Sequence, residues 1–222
     1  VHARSRAPAW SCLWACFLSR KKFVTTFHGT YNFSSKLKHF YNSVMVRSKL
    51  TIGGSNFIFS HINENYHKYL NPKKQKLMVI FRGINLEFFN EKNTSEKKAS
   101  TLTLSWNIDK KNFIILLPGR LTKWKGQEIF IEALNLLIEE HNNENFHAII
   151  LGSDQGRDVY SKKLTLLVER YRLGKKITFI ENCKEMPLAY KLSDLVVSSS
   201  IEPEAFGRVA VEAQAMNKPI IA

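Results

Sequence analysis

Hydrophobic residues along the chain follow two alternating patterns. Short apolar runs rich in Val, Ile, Leu and Phe predict buried strands, and stripes with a 3.6-residue period predict helices. The predicted strands lie at 23–27, 50–52, 77–81, 113–117, 146–151, 177–180, 195–198 and 219–221. The predicted helices lie at 7–18, 35–46, 56–66, 126–140, 161–173 (capped by Gly174), 188–192 and 206–216. This alternation predicts an α/β fold in which right-handed crossovers join parallel strands.

The composition changes between Glu91 and Asn112, where Asn, Ser, Thr and Lys dominate and the apolar pattern fades. A polar stretch of this kind is typical of a linker between domains. We therefore predict a linker at 91–112 between two Rossmann-like domains, residues 1–90 and 113–222.

The beginning of the chain has two readings. Arg4 and Arg6 precede an apolar stretch at 7–18, which resembles the basic and apolar regions of a signal peptide. The stretch is too short to span a bilayer as a helix, and Pro8 with the bulky Trp10 and Trp14 favours a buried helix between two strands.

Both ends of the chain look cut, because it starts at Val1 rather than Met and stops at Ala222 within an apolar run. We expect both sheets to be incomplete, with exposed edges that invite aggregation. The chain as given is then expected to be weakly active or inactive.

The formal charge of +14 is unevenly distributed. Residues 1–90 hold 14 Lys and Arg but only two acids, whereas residues 91–222 hold 19 and 17. The first part should attract an anionic partner, such as a membrane surface, a phosphorylated acceptor or nucleic acid, unless the charge reflects a basic proteome alone. Cys12, Cys16 and Cys183 form no zinc-ligand pattern and fit reduced thiols in the cytosol, so we expect no metal site.

A basic loop follows the strand at 113–117. Gly119 ends the strand, Arg120 offers a planar fork for phosphate oxygens, and Lys125 offers a point charge. The helix that starts at Gly126 can add backbone N–H donors. The pattern is typical of a phosphate site, although an ordinary solvated basic loop also fits it.

A second polar group lies between the last strand pair, where Glu204 and Glu212 stand eight residues apart around Gly207. An acid inside the Ala- and Val-rich helix is costly without a polar partner, which a sugar hydroxyl or a buried Arg would supply. A surface salt bridge is the alternative. Two further groups, His28-Gly29-Thr30 and the turn at 152–158, follow strands and have either structural or ligand-binding roles.

Together these motifs resemble the retaining glycosyltransferases of family 4. The segment from Gly119 to Gly126 and the E-x7-E pattern of Glu204 and Glu212 carry the resemblance. The resemblance covers nearly the whole chain, and the sequence at 202–208 is most similar to bacterial envelope members of the lipopolysaccharide type. Further matches lie at 26–29, 55–57, 82–85 and 186–194.

The resemblance implies a GT-B fold and a nucleotide-sugar donor, UDP- or GDP-linked, with no cofactor and no metal. Arg120 and Lys125 would hold the diphosphate, assisted by Gly119 and by backbone amides around Phe206 and Gly207. Glu204 would contact the donor sugar, Glu212 the ribose, and His28 would line the cleft near the reacting carbon. Asn182 stands where members usually have Gly after the strand, so the base pocket is expected to differ.

The acceptor implied is an envelope glycan or a lipid-linked molecule, with transfer that retains the anomeric configuration. The basic first half then predicts a cytoplasmic protein that binds peripherally at the inner, anionic face of the membrane. Three alternatives stay open: an inactive remnant of such an enzyme, a phosphorylase or epimerase of the same fold, and a nucleic-acid-binding protein. Signatures for the last are missing, so we expect no nucleic-acid partner.

Overall fold

The computed structural model describes residues 1–31, 34–109 and 111–222. Its chain divides into two compact units. The first contains residues 1–83 and 204–206, and the second contains residues 84–203 and 207–222. Both units are α/β, and all strand pairs in both sheets are parallel, which confirms the predicted fold class.

The first unit is built on a four-stranded sheet whose strands follow the order of the chain. The strands are β1 (His2–Ala3), β2 (Val24–Phe27), β3 (Leu50–Gly53) and β4 (Lys76–Val79). The helices are α1 (Arg6–Leu18), α2 (Lys36–Asn42) and α3 (Asn56–Tyr66), with 3-10 turns at Ser43–Val46 and His67–Tyr69. Fully buried Phe27, Val44, Met45, Ile58 and Ile62 form its core.

The second unit is built on a five-stranded sheet in the order β7-β6-β5-β8-β9. The strands are β5 (Phe113–Pro118), β6 (Phe146–Leu151), β7 (Ile177–Ile180), β8 (Leu195–Val197) and β9 (Ile220–Ile221). The helices are α4 (Glu96–Ser105), α5 (Gln127–His141), α6 (Asp158–Arg170), α7 (Met186–Leu192) and α8 (Arg208–Ala215), with 3-10 turns at Glu91–Asn93 and Lys123–Lys125. The chain winds from β5 to one side and returns to β8 on the other, so the strand order reverses between β5 and β8.

The predicted linker at 91–112 contains a 3-10 turn and helix α4. Lys110, within this range, lies outside the described residues. Ser95 caps α4 by accepting a hydrogen bond from the backbone N–H of Lys98, and Ala99 and Thr103 bury one side of the helix. Lys191 of α7 ties this segment down, because its ammonium group donates to the carbonyl oxygens of Glu91 and Thr94. The second unit therefore begins at residue 84, earlier than the predicted domain boundary.

Several helices differ from the sequence prediction in their bounds or in their burial. The predicted helix at 35–46 is α2 followed by a 3-10 turn that carries the buried Val44 and Met45. Helix α6 ends at Arg170, and Arg172 rather than Gly174 takes the left-handed conformation, with φ of 56°. Helix α1 does lie between two strands, but it buries only Ala9 and Cys16 and leaves residues 14, 17 and 18 exposed.

None of the helices in the described part of the chain combines the length and hydropathy needed to cross a bilayer.

Candidate functional site

The basic loop at 119–126 follows β5, and the segment at 198–207 follows β8. These two strands flank the point where the order of the second sheet reverses. In open parallel sheets, the loops at the carboxyl ends of such neighbouring strands diverge and leave a crevice that binds ligands. The sequence motifs around Arg120 and Glu212 thus lie at the position in the second unit where a ligand site is expected.

Three glycines form the floor of this loop. A Cβ atom on Gly126 would stand 1.9 Å from the carbonyl oxygen of Ser199, and Gly126 also has a positive φ of 69°. A Cβ atom on Gly152, at the end of β6, would stand 2.0 Å from the carbonyl oxygen of Gly119. Only glycine permits this close approach of backbone to backbone, and glycine also adopts the left-handed conformation without steric cost. A Cβ atom on Gly119 would meet the Lys125 side chain at 3.5 Å.

Arg120 and Lys125, two of the three cations in the loop, differ in their surroundings. Arg120 is exposed, and within residues 1–31, 34–109 and 111–222 no hydrogen bond or ion pair engages its guanidinium group. The Lys125 ammonium nitrogen lies 4.5 Å from the centroid of the Trp124 ring, a cation–π distance. Both side chains extend from a fixed backbone, so the loop presents positive charge without committing Arg120 to a protein partner.

Buried polar groups hold the loop in place. The amide of Gln127, which is fully buried, donates to the carbonyl oxygen of Arg120 at 2.9 Å. The Ser199 hydroxyl lies 3.0 Å from the carbonyl oxygens of both Lys125 and Gly126, and the Ile201 N–H donates to the Trp124 carbonyl at 2.9 Å. The loops after β5 and β8 are therefore joined directly at the reversal point.

Helix α8 begins beside this junction. Gly207, at its N-cap, has φ of 71° and ψ of 54°, a left-handed conformation that favours glycine. The backbone N–H groups at the start of the helix carry partial positive charge and favour an anion. Gly207 therefore permits the chain to turn sharply into α8, which is one of the helices that the sequence predicts.

Glu212 lies two-thirds of the way along α8 and is only 7% exposed. One carboxylate oxygen, Oε2, accepts a hydrogen bond from the Tyr190 hydroxyl at 2.8 Å. The other, Oε1, lies 2.7 Å from the guanidinium group of Arg208. Burial and the neighbouring Glu212 charge raise the pKa of Tyr190, so its hydroxyl stays protonated as a donor.

The remaining predicted site residues lie in the first unit. Residues 204–206 group with that unit, where the Ser55 hydroxyl donates to the Ala205 carbonyl at 2.7 Å. Glu204 and Phe206 are both partly buried. They precede α8 instead of opening it, because the helix starts only after the left-handed Gly207.

His28 follows β2 in the first unit. The Arg4 Nε–H donates to its Nε2 at 3.1 Å. Because a guanidinium group cannot accept a hydrogen bond, Nε2 is the acceptor and Nδ1 of a neutral imidazole carries the proton. Nδ1 is buried and has no hydrogen-bond partner in the described part of the chain. The Nδ1–H group of His28 is therefore a buried donor with no partner among the described residues.

The turn at 152–158 is held by hydrogen bonds of Asp154. Asp154 accepts hydrogen bonds from the Ser161 hydroxyl at 2.7 Å and the Gly156 N–H at 2.9 Å. These bonds, led by that from Ser161, lower the pKa of Asp154. These contacts give the turn a local structural role, although the N-cap residue of α6, Arg157, makes no side-chain capping hydrogen bond.

Sequence reasoning gave no role to Gln127, Tyr190, Ser199 or Arg208. Gln127 follows the loop directly, and its position at the start of a helix gave a weak signal for a buried polar group. Tyr190 lies 22 residues from Glu212, so only the fold brings the two together.

The second unit is a Rossmann-like unit with a basic, glycine-lined loop at the point where its strand order reverses. The chain belongs to the family described as "Glycosyl transferases group 1", whose sequence profile matches residues 101–222. The profile described as "Glycosyltransferase Family 4" matches residues 1–88. The sequence-based assignment to this family is thus confirmed.

Curated relatives carry glycosyltransferase names. The D-inositol 3-phosphate glycosyltransferase of Corynebacterium glutamicum is 28% identical over 149 residues, which are 66% of this chain and 35% of the relative. An uncharacterized glycosyltransferase of Methanocaldococcus jannaschii is 33% identical over 164 residues, 72% of this chain and 39% of the relative. The chain thus spans less than half the length of these curated relatives.

Solved structures of glycosyltransferases share the fold. A glycosyltransferase from Rickettsia africae is 37% identical with a TM-score of 0.83, covering 100% of this chain and 56% of the other. The Anabaena protein HepE, in complex with UDP and glucose, is 24% identical with a TM-score of 0.85 and coverages of 100% and 58%. WaaG, a glycosyltransferase involved in lipopolysaccharide biosynthesis, is 16% identical with a TM-score of 0.74 and coverages of 96% and 62%. The last two establish the GT-B fold alone.

Among the described residues, no group of three or more His, Cys, Asp and Glu side chains is placed to hold a metal ion.

Proposed function

We propose that the protein is a glycosyltransferase that uses a nucleotide-sugar donor, and that its second unit binds the nucleoside diphosphate. The observation that carries this proposal is the exposed Arg120 on the glycine-floored loop at the reversal point. Family membership and the glycosyltransferase names of the relatives support it.

Arg120 and Lys125 supply the charge that the departing nucleoside diphosphate requires. Cleavage of the bond between sugar and phosphate leaves negative charge on the diphosphate, and fixed cations stabilise that charge as it develops. Amides at Phe206 and Gly207 and the start of α8 add donors with no reorganisation. Gly119 keeps the backbone low enough for phosphate oxygens to approach.

The other roles rest on the family resemblance. Glu212 accepts hydrogen bonds from the ribose, Glu204 contacts the donor sugar, and His28 lies near the reacting carbon. Protein cations and helix amides replace a metal ion, and transfer retains the anomeric configuration. The donor is UDP- or GDP-linked, and no further cofactor takes part.

The acceptor is an envelope glycan or lipid-linked molecule, reached at the inner face of the membrane. The uneven charge supports this partner, because residues 1–90 hold 14 cations and two acids. An anionic surface attracts such a segment, and salt screens the attraction. Release from anionic vesicles at high salt is the expected result; retention at high salt contradicts this mechanism.

The first test is calorimetric titration with UDP, GDP and their sugar conjugates. The Arg120→Ala/Lys125→Ala variant is expected to bind about 100-fold more weakly, since two charge-assisted phosphate contacts are lost. Lys175→Ala/Lys184→Ala is the matched control, because it removes two exposed lysines that lie outside the loop at 119–126 and leaves the net charge of the two variants equal.

Circular dichroism verifies that each variant is folded. If both double variants lost nucleotide affinity equally, the loss would be due to net charge alone, which would contradict the assigned site. If the folded wild-type chain binds none of these nucleotides, the proposed function fails for this chain, and the inactive-remnant alternative takes its place.

A further inference from the structure

We propose that Tyr190 and Arg208 are positioning residues that hold the Glu212 carboxylate in one orientation, aimed to accept hydrogen bonds from a ribose diol. We call the Tyr190 hydroxyl and the Arg208 guanidinium group the donor pair. The inference rests on the proposed function and assigns roles to two residues to which the family resemblance gives none.

The donor pair approaches the carboxylate from two environments. Tyr190 is fully buried on α7, and its ring packs edge-on to Phe89 at a centroid distance of 6.0 Å. The Arg208 side chain is 60% exposed on the first turn of α8. One donor thus comes from the protein interior and one from the solvent side, and each binds a different oxygen of Glu212.

The two hydrogen-bond donors offset the desolvation free energy of the buried Glu212 carboxylate. A carboxylate removed from water needs donors that replace its hydration, and charge-assisted hydrogen bonds are the strongest available. Because the donor pair uses one lone pair on each oxygen, a second lone pair on each oxygen is left. Two acceptor atoms a short distance apart match the two hydroxyls of a ribose.

The fixed orientation has a further consequence. A glutamate side chain has three rotatable bonds, and ordering them on binding would weaken affinity. Oε2 accepts a hydrogen bond from Tyr190 of α7, and Oε1 forms an ion pair with Arg208 of α8. The carboxylate is therefore ordered before a ligand binds. A purely structural role would stabilise the unit without distinguishing one nucleotide sugar ring from another.

The experiment compares UDP and GDP with their 2′,3′-dideoxy forms by calorimetry. Wild type should bind the ribose forms more tightly than the dideoxy forms. Tyr190→Phe removes only the hydroxyl, and we expect about tenfold weaker binding of the ribose form with unchanged binding of the dideoxy form. Tyr171→Phe, at the end of α6, is the matched control with unchanged values.

Arg208→Gln provides a second variant that preserves folding, because the side chain it changes is largely exposed. It should also weaken the ribose form selectively. Equal weakening of both forms would mean that Arg208 contacts phosphate directly and would overturn its positioning role. In a Glu212→Gln background, Tyr190→Phe should have little further effect.

Unchanged discrimination in folded Tyr190→Phe overturns the inference while wild-type binding leaves the proposed function standing. Absence of nucleotide binding by folded wild type overturns both.

Discussion

Replacing Gly152 with alanine tests whether backbone packing sets the basic loop. The new Cβ atom would stand 2.0 Å from the Gly119 carbonyl oxygen, whereas ordinary contacts begin at 3.4 Å, so the two must separate by about 1.4 Å. Neither side yields easily. The Gly119 N–H donates to the Leu151 carbonyl, and the Gly152 N–H donates to the Ile180 carbonyl, both at 2.8 Å.

Overpacking of this kind typically costs about 1–3 kcal/mol of folding free energy. For a chain of this size, a loss of about 2 kcal/mol lowers Tm by roughly 4–8 °C. Moving the Gly119 carbonyl also displaces Arg120, the next residue. Loss of one charge-assisted phosphate contact predicts about tenfold weaker UDP or GDP binding.

Thermal unfolding followed by circular dichroism measures the first effect, and calorimetry measures the second. Gly174→Ala is the matched control, because a Cβ atom there meets nothing within 4 Å. An unchanged Tm for Gly152→Ala would refute the steric argument. A lowered Tm with an unchanged nucleotide Kd would separate the loop from nucleotide binding.

Three other perturbations follow from the same structure. Burial, and secondarily the Lys176 charge, lowers the pKa of His147 below 6.5, so its contribution to stability is present above that pH and is lost as the pH falls. The free energy of unfolding in urea should therefore decline less between pH 7 and 5 in His147→Gln than in wild type. Parallel declines in the two proteins would contradict this. Lys191→Met leaves the carbonyl oxygens of Glu91 and Thr94 without their donor and should lower the free energy of unfolding in urea by about 1–3 kcal/mol. An unchanged free energy of unfolding would show that water replaces the ammonium group. EDTA should leave nucleotide affinity unchanged, and a Kd that rises on chelation and recovers with Mg²⁺ would contradict the metal-free proposal.

The apolar pattern predicted most strands and helices because each buried run has one dominant neighbour, the sheet core. The strand at 146–151 is buried along its whole length, and its predicted bounds are those of β6. Helix α4 escaped prediction because its polar composition has a weak apolar stripe, and its burial depends on a partner distant in sequence. Exposed residues on α1 show the same limit, since an apolar side chain does not reveal whether something covers it.

The candidate site was predictable where chemistry is local. Gly119, Arg120 and Lys125 share one loop, and parallel strands place that loop at one edge of the sheet. The partners of Glu212 were not predictable in the same way. The sequence suggested a sugar hydroxyl or an arginine, and the fold supplies both Arg208 and the distant Tyr190. The two acids of the E-x7-E pattern fall in different compact units, which spacing alone does not reveal.

The glycine floor has a genetic consequence. A Cβ atom on Gly126 or Gly152 meets backbone carbonyl oxygens at 1.9 and 2.0 Å, so every missense codon at these positions introduces the same clash. Lys123 lies in the same loop with an exposed side chain, and it can vary without contacting the glycines. In a saturation library selected for nucleotide binding, replacements at positions 126 and 152 should be strongly depleted, whereas those at position 123 should persist. New ligand preferences can therefore arise by changing the side chains of this loop, but not by reshaping its path.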